Sequence, residues 1–300
     1  MNLSLLWIPV TLVAAAAQTG RNATQRRLTE TIGTVGATQV RFLYGFPFAL
    51  LALAGVSLAT GESVPAPNAA FLSSVLAGAT TQILATALML SAMRERAFSV
   101  VTAYTKTEPV QVALFGLLLL GDPLTPMTAL AILVATLGVM LMSVKPGTDL
   151  ASSGLKPVIS GIAAGAFFAL AAIGFRGAIL ALPEGSFLVR ATTTLAWGLG
   201  LQTGILLVWL GLFDRRALLA SLDVWRSSLG AGFLGALASQ FWFIGFALTT
   251  AANVRTLALV EVLMAQAVSH RFLAQATTRR ELAGMALIVG GVAMLLLAQG

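Results

Sequence analysis

Runs of about twenty apolar residues recur from one end of this chain to the other. A helix needs about that many to cross a hydrocarbon core ~30 Å thick. Backbone in lipid must satisfy its own hydrogen bonds, which leaves only helices and closed barrels as spanning structures. Barrel strands read as alternating segments of about ten residues, and none occur here. The runs mark ten expected spans, at 4–25, 35–59, 70–92, 98–120, 126–144, 157–180, 186–211, 229–250, 254–273 and 281–298. The fold class is therefore expected to be an all-α membrane protein.

Composition agrees. Only 10% of the 300 residues are charged and 58% are hydrophobic, whereas soluble domains carry about 25% charged residues. There is no cysteine and a single histidine, so disulfides and Cys- or His-rich metal sites are excluded. The net charge of +7 does not read as a nucleic-acid surface. The basic residues sit in short loops between spans, as positive-inside anchoring requires. No GxSxG, HExxH or GxxxxGK[ST] occurs, so neither a catalytic constellation nor a phosphate-cradling loop is expected. Neither cofactor nor metal is expected. The N-terminus "MNLSLLWIPVTLVAAAAQTG" lacks the basic start of a signal peptide and reads as a retained first span.

Connections such as "TGESVPAPN", "GDPLTP" and "KPGTDLASSG" hold the residues that mark turns. The longest, "FDRRALLASLDVWRSS", places Leu218, Leu222 and Trp225 on one helical face. It reads either as a short helix in the membrane interface or as an ordinary loop. Trp7 and Trp209, near span ends, read as interface anchors.

The chain repeats itself. Residues 98–142 align with 251–295 at a constant offset of 153, which puts Glu108 on Glu261, Thr125 on Thr278 and Gly138–Val139 on Gly291–Val292. Residues 36–55 align with 185–204 at an offset of 149, which puts Arg41 on Arg190. Of eleven acidic residues, only Glu108 and Glu261 lie deep in apolar runs, and they are equivalent. Residues 1–150 and 151–300 thus read as two halves of five spans. Five is odd, so the halves must cross the membrane in opposite senses. Inverted repeats around a central cavity are a transporter signature, with the site near the midplane.

An ionisable group at the bilayer centre costs at least ~2.5 kcal/mol and marks a pathway by default. Glu108 is the first candidate. Tyr104 and Gln111 share its helical face, and Lys106 points elsewhere. Pro109 cannot donate to the carbonyl of Thr105, so the helix is expected to break there. The alternative is structural: Glu108 paired with Arg41, and Glu261 with Arg190. Gln18, Arg21, Gln82, Gln240 and Trp242 read either as cavity lining or as interhelical glue. His270, beside Arg271, reads as interfacial and passive. Gly161 and Gly165, spaced as GxxxG, permit close helix packing.

A ten-span chain of two halves, with "EP" in its fourth span followed by "LLLLGDPLTPMTALAILVATLGVMLM", resembles the drug/metabolite transporter superfamily, EamA type. Within that type it is similar to the YddG-like amino-acid exporters. Arg41 matches an Arg common in that family's second span. The chain departs from the pattern at Asp122, where Glu is usual, at Val262 after Glu261, where Pro is absent, and at Gln275. The second half is therefore expected to lack the helix break.

These readings combine into a multi-pass transporter of the inner (plasma) membrane, not an enzyme. It would export small metabolites such as amino acids by alternating access. Glu108, Tyr104, Gln111, Arg41, Lys106, Gln82, Gln240, Trp242 and Glu261 are expected to line the solute site, with Pro109 and Arg190 in the gate. The expected partners are a small-molecule solute and the lipid bilayer, with oligomeric state open. A multidrug extruder of lipophilic cations and, from another class, an intramembrane enzyme or channel-like scaffold are the alternatives. Arg215, Arg216 and Arg226 lie with most other loop cations on the side opposite the termini, so the charge count puts both termini outside.

Overall fold

The computed structural model describes residues 5–93, 98–143, 155–264, 266 and 278–298. Its elements are α1 (Trp7–Leu43), α2 (Phe46–Thr60), α3 (Ala69–Met93), α4 (Phe98–Thr105), α5 (Glu108–Phe115), α6 (Pro126–Ser143), α7 (Leu155–Ala181), α8 (Phe187–Phe213), α9 (Arg215–Asp223), α10 (Trp225–Leu248), α11 (Ala251–Leu257) and α12 (Arg279–Leu297). Helical backbone also resumes at 260–264. The described residues contain no strand.

Seven helical stretches among them are long and apolar enough to cross a membrane: Thr38–Thr60, Ala69–Met89, Pro126–Ser143, Leu155–Ala181, Phe187–Phe213, Ser228–Leu248 and Arg279–Leu297. They correspond to seven of the ten expected spans. The other three, 4–25, 98–120 and 254–273, carry polar or charged residues. The last two are interrupted beside their acidic residue, and His270, Arg271 and Gln275 lie outside the described residues. The turn expected between 25 and 35 does not form. α1 runs unbroken for 37 residues, about 55 Å. The stretch "RNATQRRLTETIGT" contains no Pro, and the helix ends only at Tyr44–Gly45, just before Pro47. Arg26 and Arg27, which fall in the connection expected between the first two spans, therefore lie on helical backbone.

The chain forms two compact units, Met1–Thr80 with Gly174–Thr249, and Thr81–Ile173 with Thr250–Gly300. Each draws on both halves of the sequence.

In the first unit α1 lies along α10, and α8 packs on α10 and α2. Phe175 meets Phe243 at a centroid distance of 4.7 Å. Arg176, buried, donates to the carbonyls of Phe246 and Thr249 and so closes the C-terminal end of α10. Two connectors are tied together at one end: Asn68 donates to the carbonyl of Ala181 at 2.6 Å, and Glu62 accepts from the Ser186 amide at 2.6 Å. Trp7 is 2% exposed; it belongs to the core and is not an interface anchor. Trp209 is 45% exposed. The connector after α8 is the helix α9, capped by the Asp214 carboxylate, which accepts from the Ala217 amide at 3.1 Å.

In the second unit the main contact is α6 against α12. A Cβ at Gly138 would lie 2.6 Å from the Gly284 carbonyl oxygen and 2.8 Å from the Ile288 nitrogen. One at Gly291 would lie 2.6 Å from the Ala135 nitrogen and 2.7 Å from the Ala131 carbonyl oxygen. Under the offset of 153, Gly138, Ala131 and Ala135 are equivalent to Gly291, Gly284 and Ile288. The contact is thus reciprocal, as a two-fold relation requires. Residues late on α6 lie beside residues early on α12, so these equivalent helices run antiparallel.

Candidate functional site

The second unit gathers four charged side chains on two broken helices. Lys106 lies in the turn between α4 and α5, Glu108 opens α5, Arg255 lies on α11, and Glu261 follows the next break. Lys106 Nζ donates to Glu261 Oε1 at 2.7 Å. Arg255 Nε lies 3.2 Å from Glu108 Oε1. All four are at most 27% exposed, and their formal charges cancel. Each acid is matched by a cation from the other half of the sequence. The acids are equivalent under the repeat; the cations are not, since Lys106 falls on Leu259 and Arg255 on Thr102.

The structural pairing expected for these acids, Glu108 with Arg41 and Glu261 with Arg190, is corrected. Lys106 and Arg255 lie on the same interrupted segments as the acids and make the ion pairs with them. Arg255, which completes the cluster, is not among the residues expected from the sequence. It lies next to the expected start of the ninth span at residue 254, only six residues before Glu261 in one apolar run.

The two ion pairs differ in quality. The Lys106–Glu261 contact is a charge-assisted hydrogen bond of short length. In the Glu108–Arg255 contact the Nε–H is not aimed at the carboxylate, and Glu108 Oε1 accepts no hydrogen bond. Gln111 shows the same feature. Its amide nitrogen donates to Thr107 Oγ1 at 3.0 Å, while its buried Oε1 accepts nothing. Two acceptor atoms beside this cluster therefore have unused capacity. Tyr104 comes close to α7, where a Cβ at Gly161 would lie 2.7 Å from Tyr104 Cβ. Thr105 Oγ1 bonds the Val101 carbonyl at 2.9 Å and reaches that of Gly161 at 3.3 Å. The close packing expected of Gly161 and Gly165 thus sets α7 against this site.

The expectation that only the first half is broken is also corrected. Lys106 N donates to the Ala103 carbonyl, and Leu259 N to that of Thr256. These are equivalent bonds, each closing a tight three-residue turn in place of an α-helical one. Pro109 occupies the first turn of α5, where a missing amide proton costs nothing. The break recurs at Ala258–Leu259 without any proline, so proline does not cause it. What the two breaks share is an acid that reaches a cation of the other half. Pro109→Ala is accordingly expected to keep the break, to shift stability by less than about 1 kcal/mol and to leave transport within about twofold of wild type. Thermal unfolding in detergent and initial counterflow rates check this.

The remaining candidates fall as follows. Gln82 lies on α3 in the second unit, where its carbonyl accepts from Thr86 Oγ1. Arg41, Arg190, Gln240 and Trp242 belong to the first unit. Gln240 donates to Thr192 Oγ1 at 2.7 Å and Trp242 Nε1 to Gln18 Oε1 at 3.1 Å, both bonds between helices. Arg41 stacks its guanidinium over Phe42 at 5.1 Å, and Arg190 Nε is buried with no hydrogen-bond partner among the described residues.

Residues 5–144 match the EamA-like transporter family. No curated protein matches the chain. A crystal structure of a protein at 15% identity resembles it over 97% of this chain and 96% of its own, with a TM-score of 0.71. At that identity the likeness is one of fold. The apolar helices make this a multi-pass membrane protein, and its residues 5–144 are similar to EamA-like transporters.

Proposed function

We propose that the chain is a secondary transporter that exports small zwitterionic metabolites, amino acids foremost, and that the charge cluster of Lys106, Glu108, Arg255 and Glu261 is its solute site. The observation that carries this reading is the unequal pairing of a neutral quartet. Glu108 Oε1 has hydrogen-bonding capacity left for a solute ammonium, and Lys106 is a cation that can exchange Glu261 for a solute carboxylate. A molecule bearing both charges would replace both internal contacts without adding net charge, and the two groups it releases, Glu261 and Arg255, carry opposite charges that can compensate each other. A lipophilic cation satisfies only one of the acids and meets Lys106 and Arg255 as like charges, so the multidrug reading is disfavoured.

Residues 1–150 and 151–300 act in this proposal as inverted five-helix repeats of a ten-helix bundle that alternate access in the inner membrane. The reciprocal, antiparallel contact of α6 with α12 and the equivalent breaks beside Glu108 and Glu261 support it.

The test is counterflow of labelled amino acids in proteoliposomes, comparing wild type with Glu108→Gln. We expect amino-acid counterflow in wild type and its loss, by about a hundredfold or more, in a variant that remains folded. Unimpaired counterflow in folded Glu108→Gln would refute the site. A wild type that moves lipophilic cations but no zwitterion would refute the solute class.

A further inference from the structure

The first unit carries an apolar groove of about 840 Å³ between α2 and α8, walled by Phe46, Leu53, Trp197, Ile205 and Trp209 and running to Phe213. That volume is in the range of sites that enclose whole ligands, about 300–1,000 Å³. The groove has room because Gly204, in its floor, would meet nothing within 4 Å on gaining a Cβ. Its far end is marked by the Trp209 and Phe213 rings, 5.8 Å apart. Directly beyond it the chain turns into α9, whose first two residues are the exposed Arg215 and Arg216. The neighbouring acid, Asp214, which caps α9, supplies one negative charge against their two positive ones.

We infer that this groove is a binding site for an anionic phospholipid, with an acyl chain along α2 and α8 and the phosphate at Arg215 and Arg216. The apolar floor fits hydrocarbon. The arginine pair sits where the membrane-spanning helix ends and α9, with exposed Leu219 and Leu222, takes an amphipathic course towards the exposed Trp225 at the start of α10. Basic residues at that level attract acidic lipid, and the positive end of the α9 dipole points the same way. A second copy of this chain is the weaker occupant. A two-fold dimer in a membrane holds equivalent residues at equal depth, so it would bring Arg215 and Arg216 of both copies to one level of the contact. An anionic headgroup neutralises those charges instead.

The experiment is native mass spectrometry of the full chain in neutral detergent. Palmitoyl-oleoyl phosphatidylglycerol and the zwitterionic phosphatidylcholine with the same acyl chains are added in competition. Wild type is expected to retain the anionic lipid about thirtyfold better, about fivefold for each arginine. Arg215→Gln/Arg216→Gln is expected to lose that preference, while Arg226→Gln keeps it. Gly204→Leu, which fills the floor, is expected to reduce retention of both lipids, and it tests the groove independently should the arginine double variant fail to fold. Equal retention by wild type, or a preference that survives in the folded double variant, would overturn the site. So would a dimer cross-linked through Val208→Cys that persists after delipidation while no anionic lipid is retained. The native chain has no cysteine, so that cross-link reports one position.

Discussion

Gly138→Leu is expected to prevent assembly of the second unit. A Cβ there would sit 2.6 Å from one backbone atom of α12 and 2.8 Å from another, and backbone cannot rotate out of the way as a side chain can. The two helices must separate along their whole contact, which forfeits dispersion contacts that have no substitute in lipid. Overpacking typically costs about 1–3 kcal/mol. Gly138→Ala should reach the upper end of that range and Gly138→Leu exceed it. Because the contact is reciprocal, Gly291→Leu is expected to do equal damage. Gly290, one residue away, meets nothing within 4 Å, so Gly290→Leu should be nearly neutral. Thermal unfolding in detergent, followed by size-exclusion recovery, checks all four. Equal stability of Gly290→Leu and Gly291→Leu would mean that the α6–α12 contact is not as described.

The second large effect belongs to the hydrogen-bonded ion pair. Glu261→Gln leaves the Lys106 ammonium without its carboxylate, and Lys106→Met leaves the Glu261 carboxylate without its ammonium. Removing one member of a buried pair costs about 3–5 kcal/mol, whereas removing both is often close to neutral. Each single variant is therefore expected to melt far below wild type, and Lys106→Met/Glu261→Gln is expected to recover most of the loss. Glu108→Gln should cost less than Glu261→Gln, because its contact with Arg255 lacks an aligned Nε–H hydrogen bond. The four melting curves form a double-mutant cycle that isolates the pair. Additive losses in the double variant would show that Lys106 and Glu261 do not depend on one another. Counterflow by the stable double variant, if undiminished, would remove this pair from the proposed solute site.

Some of this was legible in the residues because lipid punishes exceptions. An apolar run of about twenty residues has few folds open to it, so the helical class and the position of seven of the spans follow from composition along the chain. Glu108 and Glu261 stood out for the same reason: carboxylates are rare in such runs, and these two occupy equivalent places in a repeat. The glycines of the α6–α12 contact were visible only as matches between halves. Their meaning, that no Cβ fits there, required the facing backbone.

Other errors share a physical cause. A local rule about proline predicted one broken helix, yet the chain breaks equivalently at Ala258–Leu259, where no local breaker stands. The apolar runs leave residues 26–34 between two expected spans, but polarity does not end a helix unless backbone bonding is also disrupted, and α1 continues to Leu43. Trp7 was assigned to an interface by its place in the sequence, although burial depends on neighbours from distant segments.

The sequence by itself determined that this chain is helical and membrane-embedded and that two acids lie in apolar runs, where charge is costly. Those conclusions depend on the chemistry of each residue against one solvent, the bilayer, which acts on every segment alike. The tertiary structure alone decided which cation meets which acid. Arg255 and Lys106 reach Glu108 and Glu261 from more than a hundred residues away in sequence. An ion pair is fixed by distance in space, and no periodicity or offset along the chain encodes it.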